Sequence, residues 1–97
     1  NDILHFITVK SVDIEMPGAE VLVFPNPFVE YADFKITGVQ AKNYTFELFD
    51  VQGKRVLTNS FNHPDFRLHR YQLSPGVFFY RLSANGKPVA SGKLIAE

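Results

Sequence analysis

The 97-residue sequence has no cysteine and no tryptophan, and its ten Lys+Arg balance ten Asp+Glu without clustering by sign. Without cysteine there is neither a disulfide framework nor a thiolate metal site, and the redox compartment stays open. Balanced, interspersed charge sets up no field that would draw nucleic acid or an anionic membrane. No apolar run approaches the roughly 20 residues of a membrane-spanning helix, and no basic segment precedes an apolar stretch at the start. Helical patterning is also missing, since no long window keeps apolar residues at i, i+3, i+4 and i+7 free of Gly and Pro. Because the chain begins at Asn1 and not at Met, it is expected to be a piece of a longer protein, with any signal peptide upstream.

What the sequence does hold is ten Phe and four Tyr among many Val, Ile and Thr, the side chains that fit a pleated, half-buried surface. Apolar and polar residues alternate with period two. Residues 3–14 read as one strand or two short ones, with a phase slip near Thr8, and Met16-Pro17-Gly18 breaks the chain. Residues 21–24 form a short strand that ends at Pro25-Asn26-Pro27, where each proline removes a ladder donor and holds the residue before it extended. Residues 31–37 put Ala32, Phe34 and Ile36 on one face, and residues 44–50 do the same with Tyr44, Phe46 and Leu48. Asp50-Val51-Gln52-Gly53 predicts a type I turn closed by a left-handed glycine, after which residues 54–59 return as the second arm of a hairpin. Residues 66–71 read as a short edge strand. Pro75 and Gly76 precede a strand over 77–84 that is apolar on nearly both faces and so is expected to be central. Asn85-Gly86 supplies a turn that needs two positive φ angles, and residues 88–96 complete a terminal hairpin. The sum is one all-β domain, an Ig-like β-sandwich of about 7 to 8 antiparallel strands. Residues 1–20 are expected to form an upstream linker or first strand, or the end of a preceding region, and residues 21–97 the compact module.

Chemistry is hard to find. His5, His63 and His69 lie in three segments without the spacing that would set two on one face for zinc, and the acids form no calcium loop, although Glu30 and Asp33 are close enough in sequence to share an ion. No serine sits in a G-x-S-x-G elbow, so nucleophilic catalysis has no visible machinery. The domain is expected to be non-catalytic and to need no cofactor. Asn43-Tyr44-Thr45 is an N-x-T triplet of the kind that arises by chance. Tyr31, Phe49, Tyr71 and Phe79 are expected to face outward and admit an alternative function, an accessory module that stacks on glycan or spaces a catalytic domain. The bland reading of these rings is core filling.

Four segments nevertheless stand in a familiar order: Val23-Phe24-Pro25-Asn26-Pro27-Phe28, then residues 48–56 around Asp50, Gly53 and Lys54, then residues 73–80, then Gly92-Lys93-Leu94-Ile95 at the end. Over about residues 21–97 the sequence resembles the C-terminal sorting domain of type IX secretion cargo in Bacteroidota. Positions matching the family's terminal motif are Gly76, Phe78, Gly86, Gly92, Lys93, Leu94 and Ile95. Phe78 stands where tyrosine is common, Tyr80 where a small aliphatic is, and Ala96 where valine is frequent. Pro25, Asn26, Pro27, Asp50, Gly53, Lys54, Gly76, Phe78, Asn85 and Gly86 are then motif residues with structural roles.

The resemblance implies an address read by the outer-membrane type IX translocon once the cargo is in the periplasm. It also implies removal by a sortase-like peptidase, with a cut upstream of Val21 in or before residues 15–20, and attachment to anionic lipopolysaccharide or release at the cell surface. Recognition is expected at Gly92, Lys93, Leu94, Ile95, Ala96 and Glu97. A terminal strand offers free backbone donors and acceptors, to be read by strand addition or by a groove that takes its side chains. Leu94 and Ile95 point to opposite faces, so at most one is core. The exposed edge also admits strand-exchanged association between copies.

Overall fold

A computed structural model describes residues 12–70 and 73–97, so His5, Tyr71 and most of the strand expected over residues 3–14 lie outside the described residues. Two antiparallel sheets pack face to face. One contains β2 (Glu20–Phe24), β3 (Tyr31–Thr37) and β6 (Asp65–His69) in the order β2-β3-β6. The other contains β1 (Asp13–Ile14), β4 (Tyr44–Phe49), β5 (Arg55–Phe61), β7 (Gly76–Ala84) and β8 (Lys87–Ala96) in the order β1-β8-β7-β4-β5. No helix occurs among the described residues.

Period-two alternation decides which face of each strand is inside. Ala32, Phe34 and Ile36 of β3 are buried, as are Tyr44, Phe46 and Leu48 of β4 and Phe78, Tyr80 and Leu82 of β7. Aromatic rings join the two sheets across this core. Phe34 lies 4.9 Å from Phe46 and 5.0 Å from Tyr80, centroid to centroid, and Phe66 of β6 reaches Phe46 at 4.7 Å. Tilted and edge-on pairs of this kind suit the ring quadrupoles and add to the burial itself. Burial also pushes the Tyr80 phenol well above its ordinary range, so the ring is neutral at every physiological pH.

The turns follow the local chemistry. Asn85 and Gly86 adopt φ of 51° and 81°, the left-handed pair that a two-residue β-hairpin needs, and this hairpin joins β7 to β8. Asp50 organises the β4–β5 turn with its own carboxylate, which accepts from the Gln52 and Lys54 amides at 2.9 and 3.0 Å, and Gly53 follows with φ of 85°. Gly38, with φ of 76°, runs so close to the Gly18 carbonyl that an added Cβ would collide with it. The Phe24-Pro25 and Asn26-Pro27 peptide bonds are cis.

β7 is central in its sheet, as its apolar sequence predicts, but only one face is covered. Val77 and Phe79 on the other face are 36% and 43% exposed. Central placement concerns hydrogen bonding to β4 and β8 and does not require a second layer.

Candidate recognition site

The expected recognition segment forms the last half of β8. Its inner edge pairs with β7 in the register Gly76↔Ala96, Phe78↔Leu94, Phe79↔Lys93 and Tyr80↔Gly92. Leu94 and Ala96 are buried at 0% and 2% exposure, whereas Lys93 and Ile95 are half-buried on the opposite face and Glu97 is exposed. The strand therefore has an anchoring row and a displayed row. Val77 and Phe79 stand beside Ile95 and Lys93 on the displayed face, and Phe49 of β4 pairs with Phe79 in turn.

The outer edge of β8 is not open, which corrects the expectation of free backbone donors and acceptors. β1 pairs with Ala90 and Ser91, and the amides of Glu15 and Met16 both donate to the Val89 carbonyl. Farther along, the segment after β2 takes over. Asn26 Nδ2 donates to the Lys93 carbonyl at 2.9 Å, and Asn26 Oδ1 accepts from the Ile95 amide at 3.0 Å. Phe28 N donates to the Ile95 carbonyl and the Glu97 amide donates to the Phe28 carbonyl, each at 2.9 Å, making a parallel bridge between Phe28 and Ala96. Phe28 itself is fully buried.

Three of the four sequence motifs thus share hydrogen bonds or cross-strand pairs, and the fourth lies alongside. The Pro25-Asn26-Pro27-Phe28 segment binds residues 93–97, those residues pair with the start of β7, and the Asp50 turn follows Phe49, the β4 partner of Phe79. A shallow cleft of about 360 Å³ between that turn and β7 is lined by Val51, Val56, Leu73, Pro75 and Val77. All of this sits at one end of the five-stranded sheet. A family model described as a secretion system C-terminal sorting domain matches residues 22–97. The chain belongs to this family, the sorting domain of type IX secretion.

No curated protein matches the sorting domain. Among solved structures it is similar to an immunoglobulin-like β-sandwich protein of the duf3244 family from Bacteroides vulgatus, with a TM-score of 0.71 at 13% identity over 92% of this chain and 96% of that one. It is also similar to part of dimeric latent PorU from Porphyromonas gingivalis, with a TM-score of 0.59 at 23% identity, covering 80% of this chain and 9% of PorU. A polysaccharide deacetylase from Bacillus cereus has a TM-score of 0.60 at 10% identity, with 79% of this chain and 29% of that one covered. At these identities the likenesses establish the Ig-like sandwich and nothing finer.

The other singled-out residues of the sorting domain fall elsewhere. Asn85-Gly86 lies at the opposite end of β8, where the Asn85 amide donates to the Asn43 carbonyl at 2.8 Å and its side-chain oxygen accepts from the Asn43 amide at 3.3 Å. Tyr31 and the Phe49–Phe79 pair occupy outer faces of different sheets, and the Arg67 guanidinium covers the Tyr31 ring at 3.8 Å. Asp33 holds Arg67 in a two-bond fork at 2.7 and 2.9 Å, which engages both of its carboxylate oxygens. The described residues hold no group of three or more potential metal ligands. Sequence reasoning missed the Asn26 side chain as a bonding group and Phe28 as a core residue. An amide flanked by two prolines, followed directly by a large apolar ring, was the available signal.

Proposed function

We propose that this domain is the address of a secreted cargo and carries no catalytic activity of its own. The outer-membrane type IX translocon reads it after the cargo arrives in the periplasm, and a sortase-like peptidase then removes it as the cargo is attached at the cell surface or released. The family match over residues 22–97 carries the reading. The β8 geometry supports a division within the recognition segment. Gly92, Leu94 and Ala96 face the core side and hold the strand, while Lys93, Ile95 and Glu97 form the row that a partner touches. The compact module is taken as residues 21–97 with a cut upstream of Val21, and the pairing of Asp13 to Met16 with β8 supports a position on the N-terminal side of Asp13, where no edge strand would be severed.

Deleting residues 93–97 is a poor test, since it also takes Leu94 and Ala96 out of the core. The better experiment fuses the full chain to a periplasmically exported reporter in a type IX host and compares it with the double variant Lys93→Glu, Ile95→Ser. The wild-type fusion should reach the surface, and the variant should remain folded but stay in the periplasm. A wild-type fusion that never leaves the periplasm would sink the reading. Normal display of the double variant would move recognition away from this row.

A further inference from the structure

Phe28 and Ala96 form a parallel bridge, in which the amide of one residue donates to the carbonyl before its partner and its carbonyl accepts from the amide after it. Stepping that pattern back two residues pairs position 26 with position 94. The main-chain amide of residue 26 would then bond the Lys93 carbonyl, and its main-chain carbonyl would bond the Ile95 amide. Those two β8 groups are instead met by the Asn26 side chain, through Nδ2 at 2.9 Å and Oδ1 at 3.0 Å. Prolines on both sides deprive this stretch of the amide donors that a regular strand would bring. A primary amide carries the same donor and acceptor as a peptide unit, and asparagine is the residue that places one on a single methylene. Aspartate would turn two acceptors toward a site that needs one donor, and glutamine would overshoot.

We propose that Asn26 is a positioning residue of the sorting signal, closing the backbone edge of residues 93–97 so that the translocon meets a folded row of side chains and not an open strand. This rests on the sorting reading above. Its content is that recognition uses the seated geometry of β8, set from a segment 67 to 69 residues away in sequence, and not a linear terminal peptide. A partner that added a strand to this edge would gain from an Asn26 substitution, because the edge would then be open. A partner that reads the seated row loses.

The test uses the full chain fused to an exported reporter, with Asn26→Ala, Asn26→Asp and, as a control, Ile36→Val, a mild core truncation on β3. Residue-resolved amide exchange on the purified chain should show the Ile95 amide exchanging roughly tenfold faster in Asn26→Ala, as expected for loss of about one net hydrogen bond, and less changed in Asn26→Asp, which loses only the donor to the Lys93 carbonyl and is read by display. The Phe46 amide in the middle of β4 should be unchanged. Surface display should fall several-fold in both variants, while Ile36→Val at a matched melting temperature displays normally. Asn26→Asp keeps the acceptor for Ile95 and carries the test if Asn26→Ala does not fold at growth temperature. Full or increased display with a faster Ile95 amide overturns the proposal and leaves the sorting reading standing, as does equal loss of display in Ile36→Val. Exchange that rises equally at Ile95 and Phe46 also overturns it. A wild-type fusion that fails to reach the surface counts against the sorting reading instead.

Discussion

Glu47 sits on the displayed face between Arg55 and Arg81, each 3.1 Å from one of its oxygens, and Asp33 is gripped by Arg67 on the opposite sheet. Burial alone would raise the Glu47 pKa, but the two guanidinium hydrogen bonds outweigh it and hold the carboxyl below its ordinary 4.5. The Arg67 hydrogen bond likewise holds Asp33 below 3.8. Folded-state values under the unfolded ones mean that the unfolded chain binds protons first as pH falls. Stability from both groups is therefore full above about pH 4.5 and is lost as pH drops through their lowered values. Urea titrations between pH 7 and pH 3 should show that loss, and Glu47→Gln with Asp33→Asn should flatten the profile. The effect is small, because all three arginines are about half exposed. Gly38→Ala should cost more, on the order of 1 to 3 kcal/mol from backbone strain and beyond that from the collision with the Gly18 carbonyl, read as a lower urea midpoint at unchanged slope. Roles of this size were legible in sequence only where they are local. Asp50 bonds residues two and four positions on, so its turn is written in four consecutive letters. The Gly38–Gly18 approach joins two loops and leaves no local trace.

At the scale of elements, alternation was enough to find the strands that bury one face and solvate the other, whereas β5, with no buried residue, was found from the turn before it. β3, β4 and β7 follow the expected phase throughout their lengths. Phe79 faces outward as expected, but alternation did not say that Val77 beside it would also be left uncovered, since an apolar side chain reads the same whether a layer or solvent lies over it. It also gave β8 an open edge, because the segment that closes it comes from another part of the chain and bonds through a side chain. The aromatic bridge between sheets is the element-level feature most open to test. Phe34 alone contacts Phe46, Phe66 and Tyr80. Phe34→Ala should destabilise by about 3 to 5 kcal/mol, a large share of the roughly 5 to 15 kcal/mol typical of a domain, and equilibrium urea unfolding will measure it.

For the molecule as a whole, the sandwich gathers sequence motifs from residues 25–28, 50–54, 76–80 and 92–97 at one end, and the order of those motifs was what made the family recognisable. Their convergence could not be read from order alone, since it needs the sheet topology that sets β8 between β1 and β7. That topology bears on folding. The Asn26 bonds to β8 span 67 and 69 residues, and contacts of such separation must be reached against the entropy of closing a long loop. Pulse-labelled refolding should show the Ile95 amide protected no earlier than Phe46, and protection of Ile95 ahead of β4 would contradict this.

If residues 93–97 are the row that is read, as proposed above, the same bonds would make the address self-verifying. A seated residue 93–97 row requires the first proline segment and the last strand of the domain to have met, so on that proposal a half-made or collapsed domain would carry the letters of the signal without displaying it.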